Sequence, residues 1–81
     1  MTLDKTVELM LSDDYKDRFE AEYRQLVNRA NKLRKMIRQY EKGELEFEPD
    51  SPIDILVWQL KTMDEYIYIL KRRASYEKIA L

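Results

Sequence analysis

The chain has no cysteine and no histidine. Without cysteine there is no disulfide and no thiolate metal site; without histidine the commonest metal ligand is gone, as is the side chain that titrates near neutrality. One glycine and two prolines in 81 residues leave few places for sharp turns, which excludes sheet-rich folds with frequent hairpins. No run approaches the ~20 apolar residues that span a bilayer. Asp4 and Glu8 interrupt the stretch that a signal peptide keeps apolar, so a cytoplasmic protein is expected. The formal charge is -1, from 15 Lys plus Arg against 16 Asp plus Glu, and bulk charge therefore argues against generic binding to nucleic acid or an anionic membrane. A chain of 81 residues makes at most one small domain, whose core alone supplies little net stability.

What the chain does have is 38% charged and 44% hydrophobic residues, the composition of long helices. Tyr15, Phe19, Tyr23, Leu26, Ala30, Leu33, Ile37 and Tyr40 follow one another at steps of four and three. After the first step this is the heptad spacing of a seam, kept along about 40 Å of helix at 1.5 Å per residue. Ser12, Asp13 and Asp14 precede the seam as N-cap candidates and Gly43 follows it as a left-handed stop, so a helix over residues 15–42 is predicted.

Residues 43–51 alternate acidic residues with Leu45 and Phe47 before Pro49, an extended connection in which Leu45 and Phe47 are expected to plug the hairpin end. Ser51 reads as the next N-cap, Pro52 as the first helical residue and Asp54 as the acidic residue three after the cap, opening a helix over 52–80. Its seam is Ile53, Leu56, Leu60, Met63, Ile67, Leu70 and Ala74, and Lys71, Arg72, Arg73 and Lys78 near its end suit the helix dipole. Two long helices and a short connection form an antiparallel hairpin over residues 15–81. Residues 1–14 stand apart, with Leu3, Val7, Met10 and Leu11 on one face of a short helix that packs on the hairpin.

A single hairpin buries one stripe of each helix, but twelve of the eighteen residues from Ile53 to Leu70 are apolar or aromatic. A second row, Ile55, Trp58, Thr62, Tyr66, Ile69 and Tyr76, lies about 100° around from the seam. Either the N-terminal segment covers it, or copies of the chain associate through Ile55, Trp58, Tyr66, Ile69 and Tyr76. The second option is favoured. The fold class is therefore all-α, an antiparallel two-helix hairpin with a short N-terminal helix, assembling into a helical bundle or ring.

Catalysis would have to rest on Asp, Glu, Lys, Tyr, Ser and Thr. Pairs such as Asp64 with Glu65, or Glu20 with Glu22, have no glycine-rich turn around them, and solvated surface is the plainer reading. No phosphate loop, EF-hand or clustered metal-ligand spacing occurs, so no enzyme, cofactor or metal is expected.

The charge is unevenly spread: residues 1–14 carry -3, 15–43 carry +5, 44–54 carry -5 and 55–81 carry +2. Arg24, Asn28, Asn31, Lys35, Arg38 and Lys42 form a row opposite the first seam, either a solvated face or a surface for phosphates or an acidic partner. Six tyrosines invite a similar choice. Tyr15, Tyr23 and Tyr66 could present ring faces to a base at a subunit junction, with Arg18, Arg29 and Arg72 for its phosphates, although packing and snorkelling explain the same residues.

Whole motifs add a resemblance. They are Tyr15, Arg18, Glu22, Tyr23, Leu26, Arg29, Lys32 and Leu33; then Gly43, Leu45, Phe47, Pro49 and Pro52; then Gln59, Met63, Tyr66, Leu70, Arg73, Glu77, Ile79 and Leu81. Over residues 15–81 the chain resembles the small helical-hairpin proteins of bacteriophages known as crAss-phage-related proteins, a family that brings no active-site residues with it. In architecture alone it is also similar to the anti-CBASS and anti-Thoeris hairpin sponges, which assemble into oligomers and trap cyclic-nucleotide immune signals between subunits. These likenesses imply a phage anti-defence protein in the cytoplasm of a bacterial host, sequestering a nucleotide signal as a homo-oligomer. Two alternatives stand beside it: a direct inhibitor of a host defence protein such as a CRISPR nuclease, acting through the basic row or the acidic connection, and a nucleic-acid accessory protein supported by the basic row alone.

Overall fold

The computed structural model describes Val7, Met10, Leu11 and residues 14–81. Two helices account for most of them, α1 (Tyr15–Glu41) and α2 (Ile53–Glu77), joined by an irregular connection, and no strand occurs among the described residues. The antiparallel hairpin of the sequence is thus the fold. Most of the expected N-terminal helix lies outside the described residues. Of its apolar face, Val7, Met10 and Leu11 are all exposed, with the Leu11 amide donating to the Val7 carbonyl at 3.2 Å.

Helix α1 starts where its cap allows. Asp14 is extended, and its carboxylate accepts from the Lys16 amide at 2.9 Å, satisfying a backbone donor that the helix leaves orphaned. Its other end closes one residue earlier than expected. Lys42 is the C-cap and Gly43 takes φ +70°, letting the amides of Gly43 and Glu44 reach back to the carbonyls of Tyr40 and Gln39 at 3.0 and 2.8 Å.

Helix α2 departs further from its sequence signals. Pro52, not Ser51, is the N-cap; it is extended and makes no side-chain cap bond. Its carbonyl accepts from the Ile55 and Leu56 amides, while the Asp54 carboxylate takes a bond from the Ile55 amide. At the far end the helix stops at Glu77, three residues short of the predicted end, because Lys78 turns left-handed at φ 57° and the Ile79 amide bonds to the Ala74 carbonyl at 2.9 Å. Continued helically, Ile79 would sit on the face away from α1; the turn instead packs it against the core.

That core holds Phe19 and Tyr23 of α1 against Leu70 and Ala74 of α2, flanked by Leu26, Val27 and Ile67. It occupies the open end of the hairpin. Towards the connection Ala30 and Ile37 of α1 stay buried, while Leu33, Ile53, Leu56, Leu60 and Met63 are only half-buried, and Tyr15 and Tyr40, at the two ends of the α1 seam, are exposed. Leu45 is half-buried, but Phe47 is 59% exposed and does not plug the hairpin end. The acidic residues around it, Glu46 and Glu48, hold this part of the connection in solvent.

Candidate functional site: the faces beside the seam

The second row of α2 stays uncovered. Ile55, Tyr66 and Ile69 are exposed, Trp58 is 68% exposed and Tyr76 77%, and Val57 and Tyr68 extend the apolar surface further around the helix. The N-terminal segment, the other cover expected for this row, lies mostly outside the described residues. Ala21 lies on the α1 face away from α2 and is fully buried, on the side where the Met10 sulfur accepts from the Gln25 amide group.

The outer part of α2 is organised by an arginine between two tyrosines. The Arg72 guanidinium donates to the hydroxyls of Tyr68 at 3.1 Å and Tyr76 at 3.3 Å, one helical turn to either side, and lies 5.9 Å from each ring centre. This is helix geometry at work, since residues four apart stack on one face. Arg72 was among the sequence candidates; Tyr68 was not, although it stands four before Arg72 as Tyr76 stands four after it.

A second cluster closes the open end. The Tyr66 hydroxyl donates to the Glu22 carboxylate across the helices, and this bond, with desolvation and the carboxylate's charge, raises the Tyr66 pKa above its ordinary value. Arg73 donates to Glu77 at 2.8 and 3.3 Å and stands 4.9 Å over the Phe19 ring. On the opposite edge Arg34 grips Asp64 with two bonds. The two inter-helix links thus flank the seam.

The six candidate ligand residues divide between these places. Tyr15, Arg18 and Arg29 fall seven before, four before and seven after Glu22, so they share its stripe, and Tyr66 joins that stripe through its bond to Glu22. A groove lined by Met10, Arg18, Glu22 and Gln25 runs along the same side. Tyr23 is excluded: only 8% exposed, its ring belongs to the core and cannot receive a base. Arg72 sits elsewhere, on the outer face with Tyr68 and Tyr76. Of the basic row, Arg24 and Asn28 are half-buried, Arg24 lying 5.3 Å over the Tyr23 ring, while Asn31, Lys35, Arg38 and Lys42 are exposed.

Among the described residues no acidic cluster could hold a metal ion, and no helix is long and apolar enough to cross a membrane. Fold and faces define a small all-helical hairpin with uncovered aromatic and arginine-bearing surface. The Sequestin family model matches residues 13–76, which takes in α1, the connection and α2 up to its penultimate residue, and the chain belongs to that family. The family name speaks of sequestering and is silent on crAss-phage relatedness. Neither curated proteins nor solved structures contain a match.

Proposed function

We propose that this chain is a phage anti-defence protein that acts without catalysis in the cytoplasm of its bacterial host, binding and holding a nucleotide immune signal of the cyclic type as a homo-oligomer. The observation that carries the reading is the membership in a sequestering family together with the stripe Tyr15, Arg18, Arg29 and Tyr66 gathered around Glu22. Rings beside guanidinium groups suit a ligand with both bases and phosphates. The uncovered apolar face of α2 supports self-association, since a chain this small gains from burying Trp58, Ile69 and Tyr76 against a copy of itself.

Native mass spectrometry of the protein purified from cells with active nucleotide-signalling defences tests this directly. An oligomer carrying a nucleotide mass supports it; an oligomer that stays empty in such cells overturns it. A second reading, direct inhibition of a host defence protein, has one observation in its favour: Phe47 stands exposed among Glu44, Glu46, Glu48 and Asp50, an apolar anchor in an acidic setting. The same experiment would then return a bound polypeptide in place of the nucleotide.

A further inference from the structure

Six exposed residues of α2, Asp54, Trp58, Lys61, Glu65, Tyr68 and Arg72, follow one another at steps of four, three, four, three and four. That is a second heptad stripe, on the side of α2 turned away from α1. The spacing reads the same in both directions. So does the chemistry with its signs exchanged: acid, aromatic, base, then acid, aromatic, base.

We propose that two copies of this chain pair through this stripe, antiparallel about a two-fold axis level with Met63, so that Asp54 of one copy meets Arg72 of the other, Trp58 meets Tyr68, and Lys61 meets Glu65. The inference rests on the self-association proposed above and adds its partner face and register. A two-fold contact must be self-complementary, with each residue meeting its counterpart twice. The stripe meets that condition at every level.

Charge selects this register over its neighbours. Sliding the copies by one heptad in one direction sets Asp54 against Glu65; sliding in the other sets Lys61 against Arg72. A parallel pairing opposes every charge to itself. Like charges face to face are what specific helix pairs use against wrong partners. Among the described residues neither Lys61 nor Glu65 has an ion-pair partner within the chain, although they lie one turn apart. Arg72 spends two of its five donors on Tyr68 and Tyr76, leaving others for a carboxylate. On either side of the central Lys61–Glu65 pairs, Trp58 and Tyr68 of both copies supply the aromatic anchors typical of interfaces.

Light scattering on the purified chain reads the outcome as mass. Asp54→Arg and Arg72→Asp, each placing like charges across the axis twice, should weaken association at least about tenfold, and the double variant should recover the wild-type mass. Helix content by circular dichroism confirms that the surface variants fold. Because the chain has no cysteine of its own, a mixture of the Lys61→Cys and Glu65→Cys proteins should form a mixed disulfide faster than either forms with itself. An oligomer whose mass survives both single reversals and yields no preferred mixed crosslink overturns this register while leaving self-association in place. A wild-type chain that is monomeric at all concentrations overturns both.

Discussion

The guanidinium of Arg34 holds the carboxylate of Asp64 through two parallel bonds, from Nη2 to Oδ1 at 2.8 Å and from Nη1 to Oδ2 at 3.1 Å. The pair joins α1 to the middle of α2 beside a stretch of seam in which Leu33, Leu60 and Met63 are only half-buried. Its planar fork fixes how far one helix can slide along the other, which a hydrophobic seam of similar-sized residues does weakly.

The bonds from Arg34 hold the Asp64 carboxyl below its ordinary value of 3.8 and push Arg34 itself upward. A carboxylate with a depressed pKa in the folded state contributes stability that is present above pH 3.8 and lost as the pH falls through the depressed value. With side chains 32% and 43% exposed, the pair is worth about 0.5 kcal/mol after solvent screening. Arg34→Gln is therefore expected to lower stability by about that amount at pH 7 and to make no difference in strong acid, as read by urea unfolding across the acid range.

Tyr66 gives the opposite dependence. Its pKa is raised, by the bond to Glu22 first and then by desolvation, so its contribution is present below pH 10 and disappears as the pH rises through the raised value. At neutral pH, Tyr66→Phe should cost about 0.5–1 kcal/mol, the net worth of one such bond. Above the raised value the wild type, with two negative groups in contact, should become the less stable of the two; a gap between them that does not change with pH would show that the bond is absent in solution.

Both helix ends make a matched pair of tests. Lys78 holds a left-handed conformation that a β-carbon disfavours, and Lys78→Gly should raise stability by up to about 1 kcal/mol. Gly43 holds the same conformation with nothing near the position a β-carbon would take, so Gly43→Ala should cost about 1 kcal/mol through backbone strain alone. Thermal melts of the two variants shifting in the same direction would contradict these turns.

How far the sequence foretold these features depended on whether their cause was local. The seam residues Phe19, Tyr23, Leu70 and Ala74 declare themselves by periodicity, and they form the core. Asp14 and Gly43 carry cap chemistry in their own side chains or lack of one. The left-handed Lys78 has no such signature, because its cause lies four residues back at Ala74 and across the hairpin, in the burial of Ile79. Phe47 misled for the converse reason: an apolar residue in a short connection is expected inside, but its acidic neighbours keep it out. At the candidate site, Tyr15, Arg18 and Arg29 share a stripe that helical spacing reveals, whereas the bond drawing Tyr66 to that stripe spans 44 residues. Tyr23 fell on the seam, and seam position rather than residue chemistry decided its place.

Leu70 is fully buried at the centre of the core, with Phe19, Tyr23 and Ala74 around it. Leu70→Ala removes its side chain from a site that the two rigid helices cannot close, and about 3 kcal/mol of stability should go with it. Against the few kcal/mol that hold a small domain together, this is enough to lower the melting temperature steeply. Val57→Ala, one exposed apolar residue on the same helix, should change an unassociated hairpin by no more than about 0.5 kcal/mol, and comparable losses at both positions would mean that the core is not where the structure puts it.

The sequestering reading and the pairing face make separable demands on arginine. Arg29 lies on the Glu22 stripe, far around the hairpin from Arg72 and Tyr68, so a charge there can serve a phosphate without touching the contact between copies. Arg29→Glu turns an attraction for phosphate into repulsion, and one lost charge-assisted contact of this kind weakens binding by about tenfold or more. The expected result is a protein of unchanged oligomeric mass that retains less than about a tenth of the nucleotide carried by the wild type. If nucleotide retention is unaffected, Arg29 makes no contact with the ligand and the Glu22 stripe is not the binding surface.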